Sequence, residues 1–332
     1  MLTISQPATT EAEAEAILDA SYSLSHPFGI PTLIIDPADY HPALFEMLRQ
    51  PGQTVENALK ETIAGFAVAH LQMPSRDAHQ YLATPNSQHM VIKIINKIDA
   101  ALNQNALSAH AFQSNDPVFN IVICPRTCDA AARILKGSLC MKDEFIADMP
   151  GYDSQWNFFK LWHEFGHGLF GPPEQRAERA GACAYRHAFE DTAVLAAVAD
   201  IRAAQSVLWY DKPSFLFKYG WPLVEEIDSV TDMTAPATWD DTVATAQHNQ
   251  YKDPAIPALR FLGSRLRNHC ERAFNNRDFD MLGLVCDQMV YKGFFEDDNQ
   301  IRIAQRFAIA AQRLSIGARA YQTLPPSRAP GI

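Results

Sequence analysis

The chain has 332 residues, 47% of them hydrophobic, with 28 Lys and Arg against 38 Asp and Glu and a formal net charge of -10. That is enough chain to bury a large core as one domain or two packed ones, and the acidic balance argues against nucleic acid as a partner, because phosphate binding draws on clustered Lys and Arg. No apolar run is long enough for a membrane span, and MLTISQPATTEAEAEAILDA has neither the basic nor the apolar region of a secretory signal, so the expected compartment is the cytoplasm, with signal-less secretion left open.

In chain order, residues 1–10 read as a loose tail and EAEAEAILDASYSL (11–24) as a short helix. FGIPTLIID (28–36) is a strand-like apolar run stopped by Pro37. In 52–72, Val55, Leu59, Ile63, Phe66 and Leu71 recur close to a 3.6 period, and 87–107 is a second helix. VFNIVIC (118–124), between Pro117 and Pro125, has the clearest strand pattern, either a sheet edge or a buried central strand. A helix is expected over 128–141.

Asp153 or Ser154 can then cap a helix from Gln155 to about Phe170, stopped by Gly171-Pro172-Pro173. Residues 174–208 read as one broken helix or two. Tyr219-Gly220-Trp221-Pro222 reads as a turn, and 255–275 and 299–321 as helices. The six cysteines are too scattered for a disulfide scaffold or a metal knuckle, so they read as reduced, mostly buried thiols. A boundary is expected near 115, between an N-terminal helical or mixed region (1–115) and a catalytic region (116–325).

Residues 163–167 read His163-Glu164-Phe165-Gly166-His167. On a helix, positions i and i+4 lie about 40° apart, so both imidazoles leave one face and can meet a single metal ion. Glu164 points about 100° away, where a base can take a proton from water on the metal. The motif lies in the apolar segment WNFFKLWHEFGHGLF, next to a core. Gly166 and Gly168 each cost about 1 kcal/mol of helix propensity relative to Ala, which indicates that something approaches the helix closely.

HEFGH resembles the signature of the zincin metallopeptidases. Strand signals are few, so the expected fold is α+β and mainly helical with a small sheet; the resemblance implies a zincin-like core with the motif on an active-site helix. It implies a Zn2+ cofactor, a peptide or protein substrate, and Glu164 as general base. In the metzincin class a Gly and a third His follow at fixed offsets, which fall here on Phe170 and Pro173, so that class is excluded.

In thermolysin-like members of the gluzincin class a ligand Glu follows about twenty residues after the second His. An Asp four residues later supports a ligand imidazole. Those offsets fall on His187 and Asp191, and Glu190 is the rival third ligand. A zinc shell of three His or of two His and Glu is chemically sound, and Asp191 would act as a second-shell acceptor. Glu178 and Asp200 read as solvated. Tyr185, Tyr210, Tyr251 and His248 are candidate stabilisers of an oxyanion.

The expected function is hydrolysis of peptide bonds by zinc-activated water. The alternatives are a regulatory or toxin-like zincin with one protein target, and a non-catalytic protein with a structural metal.

Overall fold

The structure is a computed structural model. It describes residues 6–38, 49–103, 110–115, 118–126, 151–171, 173–208, 221–247, 260–266, 280–295 and 297–316, together with 4, 40, 46, 149 and 269. Helix α1 (Glu11–Tyr22) begins with a capping box: Thr10 accepts from the Glu13 amide, and the Glu13 carboxylate accepts from the Thr10 amide. The segment before it is not a loose tail throughout. Ala8 is buried and forms a parallel bridge with Phe189.

The apolar run after α1 divides in two. Pro27–Gly29 forms a 3-10 turn, and β1 is Thr32–Ile35. Phe28 adopts φ 53° there. A left-handed backbone on a bulky residue costs about 1–3 kcal/mol, and burial of the ring offsets a comparable amount.

Helices α2 (Val55–Leu71), α3 (Ser75–Leu82) and α4 (Pro85–Asn103) follow, then β2 (His110–Asn115) and β3 (Val118–Ile123). The sequence pattern missed α3 and β2, both short and polar. The sheet order is β1-β3-β2, with β1 parallel and β2 antiparallel to β3. Of the two readings of 118–124, it is therefore the central strand. The expected boundary near 115 falls between β2 and β3, which pair from His110↔Ile123 to Asn115↔Val118.

The alternation of β3 divides the core. Phe119, Ile121 and Ile123 pack with Leu59, Ile63, Val91 and Ile94 of the α2 and α4 layer. Val122 and Cys124 join the larger core on the other side. That core belongs to α5 (Asp153–Phe170), α6 (Glu174–Ala188), α7 (Ala193–Leu208), α8 (Trp221–Asp232), α9 (Trp239–Gln247), α10 (Asp280–Tyr291) and α11 (Asp298–Ile316).

The chain is thus mainly helical with a small sheet. Pro222 sits in the first turn of α8, where a missing N–H is harmless, so Trp221-Pro222 opens a helix and not a turn. No helix of the described residues is long and apolar enough to cross a membrane. Cys124, Cys183 and Cys286 are buried free thiols. The helix expected over 128–141 lies outside the described residues.

Candidate metal centre

Helix α5 carries the motif. Its cap differs from the expected one: neither Asp153 nor Ser154 caps it, and Tyr152, at the N-cap position, makes no side-chain cap bond. The carboxylate of Glu11, from α1, accepts from the Ser154 amide at 2.8 Å instead. Its negative charge also suits the positive end of the helix dipole. The helix ends at Gly171, where φ 75° and ψ -154° turn the chain back and the amide bonds the His167 carbonyl.

Helix α6 then runs back across α5, and two glycines, Gly166 and Gly181, let the two helices nearly touch. A Cβ on Gly166 would lie 2.8 Å from both Ala177 Cα and Ala180 Cβ. One on Gly181 would lie 3.1 Å from the His163 nitrogen. Gly168 answers to the sheet, since a Cβ there would overlap the Asn120 amide. The close approach implied by the helix-interior glycines is therefore made by α6 and by β3.

This packing lowers the first turn of α6 onto the His pair. Glu174 Oε2 lies 3.3 Å from His163 Nε2 and 3.3 Å from His167 Nε2. Among the described residues, His163, His167 and Glu174 form the group that could hold a metal ion, each offering one atom within 4.8 Å of the others. Four ligands at zinc-like bond lengths of 2.0–2.1 Å around a tetrahedral centre stand about 3.3–3.4 Å apart, so both measured separations match such an edge.

The other ring nitrogens are held from behind. His163 Nδ1 lies 2.7 Å from Glu178 Oε2 as an ion-pair contact outside hydrogen-bond geometry, and His167 Nδ1 hydrogen-bonds the Gly171 carbonyl at 3.0 Å. Glu178 is wholly buried and ion-paired to Arg202 at 2.8 Å. Outer contacts of this kind fix which imidazole nitrogen is left for a metal.

The charges are strongly coupled. Burial opposes protonation of His163, yet Glu174 and Glu178 outweigh it and push the imidazole up to about 10. Burial would raise Glu174, but His163 and His167 hold it well below the usual carboxylate range. Glu178 is held down to about 2 against its burial by Arg202 and His163. Glu164 is buried as well, and burial raises its pKa although both imidazoles oppose the shift. A dication here would take over the compensation now supplied by imidazolium protons.

His187 is not brought to this group. It sits at the other end of α6, thirteen positions or roughly 20 Å from Glu174, with Nδ1 3.0 Å from the Pro236 carbonyl and its ring against Trp239. Glu190 is exposed, and its amide donates to the Ala8 carbonyl. Asp191 accepts from the Tyr152 hydroxyl at 2.5 Å and from the Ala193 amide at 2.7 Å, so it braces the chain entering α7 and supports no imidazole of the cluster. Glu178 and Asp200 are not solvated either. Both are fully buried, Asp200 in ion pairs with Arg306 and Arg313 of α11. The Tyr185 hydroxyl is occupied by Gln155, and Tyr210, Tyr251 and His248 lie outside the described residues.

A carboxylate close to the two imidazoles has a signal in the sequence. Glu174-Gln175-Arg176-Ala177-Glu178 has the spacing expected of a ligand followed by its supporting acid, seven residues after His167 and not twenty. Comparison with protein-family models, curated proteins and solved structures finds no match to this chain.

Proposed function

We propose that the chain is a zinc-dependent peptidase of the zincin type, with His163, His167 and Glu174 as the protein ligands and Glu164 as the general base. The observation that carries this reading is one arrangement: a Glu174 carboxylate oxygen lies at a tetrahedral-edge distance from two Nε2 atoms, while Glu164, next to His163 on the same helix and about 100° away around its axis, is buried and electrostatically coupled to both imidazoles. Two imidazoles and a carboxylate with an open position are a known catalytic zinc shell, and the ion there supplies Lewis acidity and makes bound water acidic near neutral pH.

The residues of the chain do the rest. Glu178 and the Gly171 carbonyl hold the two imidazoles with Nε2 inward. Glu164 accepts the proton of the attacking water on a carboxylate oxygen and hands it to the nitrogen of the departing amine. Its burial suits that task, because a base whose pKa is raised towards neutrality both accepts and releases a proton readily.

Two His and one carboxylate also hold iron(II) in other enzymes. Glu164 beside the cluster is what favours hydrolysis. The test is metal analysis of protein made without a His tag, paired with hydrolysis of a mixed peptide library. About one zinc per chain and cleavage that depends on Glu164 are expected. Protein that binds no zinc, or cleavage unchanged in Glu164→Gln, would overturn the reading.

A further inference from the structure

A cleft of about 510 Å³ opens on a different face of α5 from the metal cluster, between the 3-10 turn and α9. Trp162, wholly buried behind it and about 100° around the helix from His163, is one of its lining residues. Trp162, Phe28 and Trp239 form an aromatic wall. Phe28 stacks on Trp239 at 5.7 Å and meets Trp162 edge-on at 5.1 Å, while the two indoles are 4.5 Å apart. The left-handed backbone of Phe28, followed by Gly29 at φ 78°, places that ring in the wall.

One carboxylate, Asp240, lines the same cleft. It is exposed and lies in the first turn of α9, where an acid suits the helix dipole, but it takes no part in the cap. Thr238 and Asp241 already cap that helix reciprocally, the Asp241 carboxylate taking the Thr238 amide at 3.1 Å and the Thr238 hydroxyl taking the Asp241 amide at 3.1 Å. Among the described residues Asp240 makes no ion pair and no hydrogen bond. An aromatic wall with a single free carboxylate at its edge is complementary to an aryl group joined by a short linker to an ammonium.

We propose that this cleft is a binding site for arylalkylammonium groups, separate from the metal centre. The aryl ring lies against Trp239 and Phe28, and the ammonium pairs with Asp240. Nothing in this requires the peptidase reading, because no lining residue belongs to the metal cluster.

The experiment is a tryptophan-fluorescence titration of the full chain with phenethylamine, with phenylethanol and phenylacetate as uncharged and anionic counterparts of the same size. Phenethylamine should give a saturable change. Phenylethanol and phenylacetate should bind at least about tenfold more weakly. Asp240→Asn should remove that preference with the fold intact. Ala244→Phe, which fills the cleft from its open side, should abolish the saturable change, and melting curves of both variants check folding. Equal affinity for phenylacetate, no saturation in the millimolar range, or an unchanged response in Asp240→Asn would overturn the proposal.

Discussion

The two ends of α6 carry the same kind of element. Glu174 and Glu178 stand four apart at its start, and His187 and Asp191 stand four apart at and beyond its end. By spacing and chemistry each could supply a ligand and its supporting acid. The first pair meets the His163/His167 face at 3.3 Å and 2.7 Å. The second pair holds chain segments together through Pro236 and Tyr152. The difference is direction: the turn at Gly171 sends α6 back over α5, so its beginning lies beside the motif and its end lies far from it. A four-residue spacing places two groups on one helix face, and only the crossing of the helices decides what that face meets.

The largest test of this contrast is ligand removal at each end. Structural zinc sites bind with about 10–16 kcal/mol, so one of four ligand positions accounts for roughly 2.5–4 kcal/mol, or about seventyfold to a thousandfold in affinity. His163→Ala, His167→Ala and Glu174→Ala should each lose most of the bound metal on dialysis against a weak chelator. His187→Ala should change affinity by less than about threefold. A His187→Ala protein stripped of metal beside a Glu174→Ala protein that keeps it would reverse the assignment.

Next in size is the base. Glu164→Gln should keep full metal content, while hydrolysis of any peptide the parent cleaves falls by about a hundredfold or more. Metal loss in that variant would place Glu164 among the ligands.

The supporting acids sharpen the comparison further. Glu178→Gln should weaken metal binding by about 10–100-fold, the range for groups that orient a ligand imidazole. Asp191→Asn should leave affinity unchanged and lower the melting temperature, since the amide keeps only one of the two acceptor oxygens that hold Tyr152 and Ala193. Competition with a chromophoric chelator reads both, and equal effects would erase the distinction between the two ends.

The smallest effect concerns the crossing itself. Gly166→Ala gains about 1 kcal/mol of helix propensity, but its new Cβ would lie 2.8 Å from Ala177 and Ala180 and must push α6 away, an overpacking worth about 1–3 kcal/mol. Net destabilisation in urea unfolding is expected. A stabilised protein would mean that α5 and α6 do not cross here.

Much was legible without coordinates because it is local. The period of Val55, Leu59 and Ile63, the breakers after Phe170 and the apolar run of 118–124 each report a preference of a few consecutive residues, and each appears as an element. The spacing of His163, Glu164 and His167 is local in the same sense, since one helical turn orients all three. The short polar elements α3 and β2 left little pattern to read, because so few residues carry few apolar positions: α3 buries only Ala78 and Leu82.

What only the tertiary structure decided is where distant groups meet. Glu178 and Asp200 looked like solvated acids because a charged residue is buried only where a partner compensates it. Those partners, Arg202 and Arg306, lie 24 and 106 residues away. Glu174 is placed against the two imidazoles by one positive-φ glycine and by glycine contacts between α5 and α6, which no residue count along the chain expresses. The amino-acid order determined which helix face presents the imidazoles, because that is set by bond geometry over four residues. The folded chain determined which carboxylate they face, because that is set by how two helices cross.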